Sequence, residues 1–111
     1  MYSTAEYQQL IENIIGEYAQ LRYSHGEVER QPVFDRENHQ YLLMLVGRDG
    51  RKMVHGCLIN IAIADDKIWI HRDGTEDGVA GDLLAVGVPK DRIVLGFYYP
   101  DTRKITDFAV C

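Results

Sequence analysis

His39, Asn60 and His71 are the residues of this sequence best suited by type and spacing to act together. Tight turns between the strands that carry them would set the three in one row across a sheet, as two imidazoles and one amide. Imidazoles shuttle protons and bind zinc, but a zinc site ordinarily needs three or four Cys, His or carboxylate ligands. The row is therefore read as a hydrogen-bonded sheet end, with no metal. His55 reads as structural beside the apolar core, and His25 as a loop residue. Cys57 has no base or orienting group at a spacing that would activate it, and burial within a strand would leave its thiol inert. Cys111 reads as a free thiol, since the two cysteines have neither zinc nor redox-pair spacing. Asp65, Asp66, Asp73, Glu76 and Asp77 form an acidic cluster without the spacing of a calcium loop. Turn and helix-start roles account for them. The stretch from Gly74 to Gly81 lacks the lysine of a phosphate loop. No catalytic, cofactor or metal residue is expected.

The elements that would position these residues are legible from periodicity and punctuation. Ser3 and Glu6 make a capping box, with Tyr2 and Tyr7 at the staple positions. Tyr7, Leu10, Ile11, Ile14, Tyr18 and Leu21 recur at helical spacing, with Ile15 widening the stripe, so a long first helix with one core face is expected, fraying near Ser24 and Gly26. Strands are expected at about residues 27–35, 39–47, 52–64 and 67–72, with tight turns at Asp49-Gly50 and Asp65-Asp66. A second helix over about 75–86 takes Thr75 as its cap and stops at Gly87 and Pro89. A strand over 92–99 and an apolar segment over 105–110 close the chain. The predicted fold is α+β: a long N-terminal helix packed on an antiparallel sheet of about five or six strands, with a second short helix before a late strand.

Turn positions imply a register. If Arg48 pairs with Arg51, then Leu45 lies opposite Val54, Leu43 opposite Gly56 and Tyr41 opposite Leu58; if Ala64 pairs with Lys67, Ala62 faces Trp69 and Asn60 faces His71. The face under the helix is then Leu42, Met44, Val46, Met53, Cys57, Ile59, Ile61, Ile63, Ile68 and Ile70. The other face holds Tyr41, Leu43, Leu45, Val54, Gly56, Leu58, Ala62 and Trp69, too apolar to be left in water. Tyr41, Leu43, Leu58 and Trp69 are thus candidate interface residues, and a homo-oligomer is one way to cover them.

Composition sets the remaining bounds. The chain has 111 residues, 46% of them apolar, consistent with one domain over residues 1–111. No apolar run approaches the roughly 20 residues that span a bilayer, and the N-terminus lacks the regions of a signal peptide, so a cytoplasmic protein without membrane contact is expected. Twelve Lys and Arg against seventeen Asp and Glu give a net charge of −5. Non-specific DNA affinity comes mostly from cations that displace counterions from phosphates, so DNA contact is expected to be at most indirect.

The blocks Gly26-Glu27-Val28-Glu29, Tyr41 to Gly47, His55-Gly56-Cys57, Lys67-Ile68-Trp69-Ile70, Asp73-Gly74-Thr75-Glu76, Gly87-Val88-Pro89 and Ile105 to Val110 together resemble the XisI family, factors that control excision of the fdxN DNA element. The likeness covers nearly the whole chain. It departs at Arg48, where the family often has tryptophan, and at Asn60, where it often has histidine. The resemblance implies a non-catalytic accessory protein in programmed DNA excision that works through partners, among them an XisH-like protein related to nucleases. A direct DNA-binding regulator or a small enzyme is the alternative.

Overall fold

In a computed structural model, which describes residues 3–21, 27–76 and 78–111, the chain opens with helix α1, Thr4–Gln20. Its start is the expected capping box: Ser3 Oγ accepts from the Glu6 amide at 3.2 Å, and the Glu6 carboxylate accepts from the Ser3 amide at 3.3 Å. Tyr2, the expected staple partner, and the expected fraying at Ser24 and Gly26 lie outside the described residues. Tyr7, Ile11, Ile14 and Ile15 are buried, and Leu10 and Tyr18 pack at the margin of the same stripe, while Leu21 at the C-terminal cap is exposed.

Strands β1 (Glu27–Asp35), β2 (Gln40–Asp49), β3 (Lys52–Ala64) and β4 (Lys67–Asp73) form an antiparallel meander. Helix α2 (Val79–Ala85) then returns the chain so that β5 (Ile93–Leu95) joins β4 in parallel, the connection a parallel neighbour requires. The sheet thus has five strands in chain order. The strand expected over 92–99 stops at Leu95, where the chain turns and the Tyr98 amide donates to the Leu95 carbonyl, and a short helix α3 (Pro100–Arg103) follows. The terminal segment adds only an isolated bridge, Ala109 to Val94, and no sixth strand.

Helix α2 also begins later than expected. Asp73 rather than Thr75 holds its start: one Asp73 carboxylate oxygen accepts from the Thr75 amide and hydroxyl, and the other accepts from the Val79 amide at 2.8 Å. Thr75 in turn accepts from the Gly78 amide. The loop between β4 and α2 is thereby tied to one carboxylate.

The turn at Asp65-Asp66 forms as expected. Both residues have positive φ, +53° and +59°, as a type I′ turn demands, and Ala64 pairs with Lys67. The other hairpin differs. Asp49 pairs with Lys52, so Gly50 and Arg51 are the turn residues, and only Gly50 takes positive φ. A type II′ turn uses glycine at its first central position in this way. Leu45 consequently lies opposite Gly56 and not Val54.

A slip of two residues keeps every side chain on its face, but a bulge does not. Leu58 is an extra residue on β3: Met44 pairs with Cys57 and Leu43 with Ile59, so Tyr41 lies opposite Ile61. Beyond the bulge the odd-numbered residues of β2 and β3 share a face. The core therefore contains Tyr41 and Leu43 with Ile59, Ile61, Ile63, Ile68 and Ile70, covered by the α1 stripe and by Val79 and Leu83 of α2. Leu42, Met44, Val46, Met53 and Cys57, expected under the helix, lie on the opposite face instead. A second bulge makes His71 an extra residue on β4, with Asn60 opposite Arg72 and Ile61 opposite Ile70.

Candidate functional site

The two bulges dissolve the expected polar row. Asn60 pairs with Leu42 on one side and Arg72 on the other, and His71 sits in the bulge and stacks on Trp69, ring centroids 6.1 Å apart. His39 takes a left-handed turn conformation, φ +54°, with its carbonyl accepting from the Ile63 amide. Its Nδ1 is 3.2 Å from the side-chain Nε2 of Gln8 on α1. Two insertions in the ladder thus separate three residues that an unbroken register would align.

His39 instead belongs to a polar group at the junction of α1 with the β1–β2 turn. Arg36 meets Glu12 as a two-pronged pair, both bonds 2.7 Å, and this bond holds the Glu12 carboxyl below the ordinary glutamate value. Tyr41 lies beneath, fully buried, and burial raises its phenol pKa. Its hydroxyl closes no hydrogen bond of good geometry, although the Gln8 side chain approaches it. The pair reads as a clasp between helix and turn. Since the folded-state pKa of Glu12 is depressed, its contribution to stability is present above the ordinary carboxylate pKa and lost as pH falls through the folded value. Thermal melts between about pH 6 and about pH 2 should show a decline in midpoint that is shallower in Glu12→Gln.

The acidic cluster serves local structure: Asp65 and Asp66 form a turn, Asp73 caps α2, and Glu76 is exposed, while Asp77 lies outside the described residues. Cys57 is half-buried, its thiol donating to the Ile59 carbonyl at 3.0 Å, and burial raises its pKa. Among the described residues no group of three or more His, Cys, Asp or Glu is close enough to hold a metal. A shallow groove of about 630 Å³ follows the outer edge of β3 beyond the reach of β4, between Met53 and Arg72. A second, of about 410 Å³, lies between Tyr18, Arg30 and Thr75. Arg30 donates to the Tyr18 carbonyl at the end of α1. The first groove is lined by both His55 and Cys57, but burial raises the pKa of the Cys57 thiol, away from a reactive thiolate.

The sheet face away from α1 and α2 carries a second set of apolar side chains. Across it run Val33 of β1; Leu42, Met44 and Val46 of β2; Met53, Cys57, Asn60 and Ala62 of β3; and Trp69 of β4. Val33 is 46% exposed and Met53 68%. Trp69 lies between Ala62 and Val94, which are buried yet belong to no part of the helix-covered core. The Arg103 guanidinium of α3 covers the indole, 5.5 Å from the ring centroid, while donating to the Tyr98 and Val110 carbonyls. Trp69 and Ala62 therefore face each other as the register implies. Of the other candidate interface residues, Tyr41 and Leu43 are 0% exposed within the helix-covered core, and Leu58 packs at that core's edge. Arg103 was not singled out in the sequence, where nothing local marks it as a lid for a ring 34 positions earlier.

Among the described residues, most cations are engaged within the chain. Arg36 pairs with Glu12, Lys90 with Asp107 and Lys104 with Asp101, while Lys67 and Arg72 donate to backbone carbonyls. Among the described residues, the cations without such a partner gather at the β2–β3 tip: Arg48, Arg51 and Lys52, with Asp49 among them.

A long capped helix and a short second helix on one side of a five-stranded sheet, four strands a meander and the fifth parallel, define an α+β class that solved structures share. The family profile for XisI protein matches residues 1–110, and the chain belongs to the XisI family. A XisI-like protein from Anabaena variabilis ATCC 29413 is 35% identical, with a TM-score of 0.91 over 98% of this chain and 100% of the other. The fdxN element excision controlling factor XisI from the same organism is 32% identical, with a TM-score of 0.84 over 97% of this chain and 98% of the other. Among curated proteins no match is found. No helix among the described residues is long and apolar enough to cross a membrane.

Proposed function

We propose that this chain is a non-catalytic accessory protein of programmed DNA excision, acting in the cytoplasm through contact with a protein partner of the XisH-like, nuclease-related kind. Family membership over residues 1–110 carries this reading. The engaged state of most cations supports it, as does a net charge of −5, which suits docking to a basic protein better than to phosphate. The rival reading, direct DNA contact, rests on Arg48, Arg51 and Lys52 at the hairpin tip. Three cations on one projection would neutralise only a few phosphates, well short of the six to ten or so of a strong binder.

Co-expression with an XisH-like protein tests the partner. The two chains should elute together in size-exclusion chromatography at micromolar concentration, and separate elution would count against the reading.

A further inference from the structure

We propose that the outer edge of β3 from Met53 to Cys57 is a strand-pairing slot that takes an extended segment of a protein partner, acidic at its ends. β3 outruns its neighbour. β4 ends opposite Ile59, so residues 52–58 of β3 pair with β2 on one side and, among the described residues, with no strand on the other. Ladder alternation decides where their backbone groups point. Asp49 and Lys52 flank a two-residue turn and exchange both bonds, as does every second pair beyond them, Val54 with Gly47 and Gly56 with Leu45. The N–H and C=O of Met53 and His55 therefore point away from β2, into the groove. The Cys57 carbonyl points the same way and accepts from Arg72 Nε at 3.1 Å, and the Leu58 carbonyl accepts from the Gly74 amide, which closes the slot at that end. Two donors and two acceptors set about 6.8 Å apart along the strand match the repeat of an extended peptide, the mode by which strands add to sheet edges. β1 has the other long free edge, but the same alternation turns Pro32 outward there, where it has no N–H to give.

Side chains around the slot name the chemistry of the occupant. Lys52 lines the groove at one end and Arg72 at the other, with Asp49 its single carboxylate among the described residues. The slot thus reverses locally the negative charge of the chain as a whole. Arg72 is exposed and gives only its Nε–H to the Cys57 carbonyl, leaving the terminal N–H groups for a ligand carboxylate. Lys52 and Cys57, which Arg72 contacts, stand about 17 Å apart along the strand, so the segment has about six residues and a carboxylate near each end. Between the two cations, exposed Met53 and half-buried Val54 and Leu58 favour apolar side chains.

The slot concerns how a protein segment is held and not which protein supplies it, so it stands or falls apart from the excision reading. The probe is a series of blocked eight-residue peptides, alternating valine and threonine with glutamate, serine or lysine at both ends, titrated into the full chain. The glutamate-ended peptide should bind with a Kd on the order of 10⁻⁴ M or tighter, and at least ~10-fold more tightly than the lysine-ended one. Bound peptide should slow hydrogen exchange at the Met53 and His55 amides and leave Val54 and Gly56, already within the ladder, unchanged. N-methylation along the peptide should weaken binding at alternate positions only, a period of two that strand pairing imposes and that is read on the unaltered chain. Lys52→Ala combined with Arg72→Ala should erase the preference for glutamate ends. No binding by any of the three peptides up to about 1 mM would overturn the proposal. So would protection that falls elsewhere in the chain, equal binding of the glutamate- and lysine-ended peptides, or N-methylation that weakens every position alike.

Discussion

Gly47→Ala should destabilise the chain by roughly 3 kcal/mol, close to the upper end of what forced overpacking usually costs. Gly47 lies opposite Val28 where β1 crosses closely over β2. A Cβ there would stand 2.0 Å from the Glu27 carbonyl oxygen and 2.8 Å from the Val28 Cα, both backbone atoms with no side chain to swing aside. Its φ of +153° adds a conformation that side chains rarely adopt. The strand has to move, and β1 is an edge strand that only β2 holds by ladder bonds. Urea denaturation should register the loss, and hydrogen exchange should place it in β1, with the amides of β3 and β4 still protected. A Gly47→Ala protein as stable as the parent would mean that β1 does not approach β2 as described.

Leu43→Ala should cost about 3 to 4 kcal/mol, whereas Leu42→Ala one position away should cost about 1 kcal/mol. Leu43 is 0% exposed among the isoleucines of β3 and β4, so truncating it leaves a cavity that closely packed neighbours cannot fill. Leu42 is half-buried on the face away from the helices, where solvent fills the gap. An uninterrupted ladder with Arg48 opposite Arg51 would reverse the two values. Equilibrium unfolding of this pair of variants therefore reads out the bulge at Leu58 directly.

That bulge marks the limit of what the sequence discloses. Helix α1 is legible because Ser3, Glu6 and a three-to-four apolar spacing agree, and the Asp65-Asp66 turn because aspartate tolerates left-handed backbone. The class of fold and the order of its elements follow from such signals. Leu42-Leu43-Met44-Leu45-Val46 gives no alternation to tell one face from the other, since the run is apolar throughout. Asp49-Gly50-Arg51 suits either of two turns that differ by two residues in register. A bulge carries no residue signature of its own, and the extra residues here are an ordinary leucine and a histidine. Tyr41 and Leu43 thus moved from the expected interface to the core, and Met44 and Cys57 from the core to the opposite face. Trp69 stayed where it was expected, because the Ala64–Lys67 turn sets its pairing before the second bulge intervenes. The cap on α2 was missed for a different reason. Asp73 ends a strand, and its carboxylate reaches six residues forward to Val79, farther than a local capping rule looks.

The functional account turns on whether this chain works by touching protein or by touching phosphate. A mobility-shift titration of the purified chain alone against duplex DNA, at physiological salt, tests this most directly. With a net charge of −5 and, among the described residues, the cations without an internal partner gathered at the β2–β3 tip, binding should be absent or no tighter than the ~10⁻⁴ to 10⁻⁶ M of non-specific association. A submicromolar shift that disappears in an Arg48→Ala, Arg51→Ala, Lys52→Ala variant would contradict the account and assign the hairpin tip as a DNA-binding site.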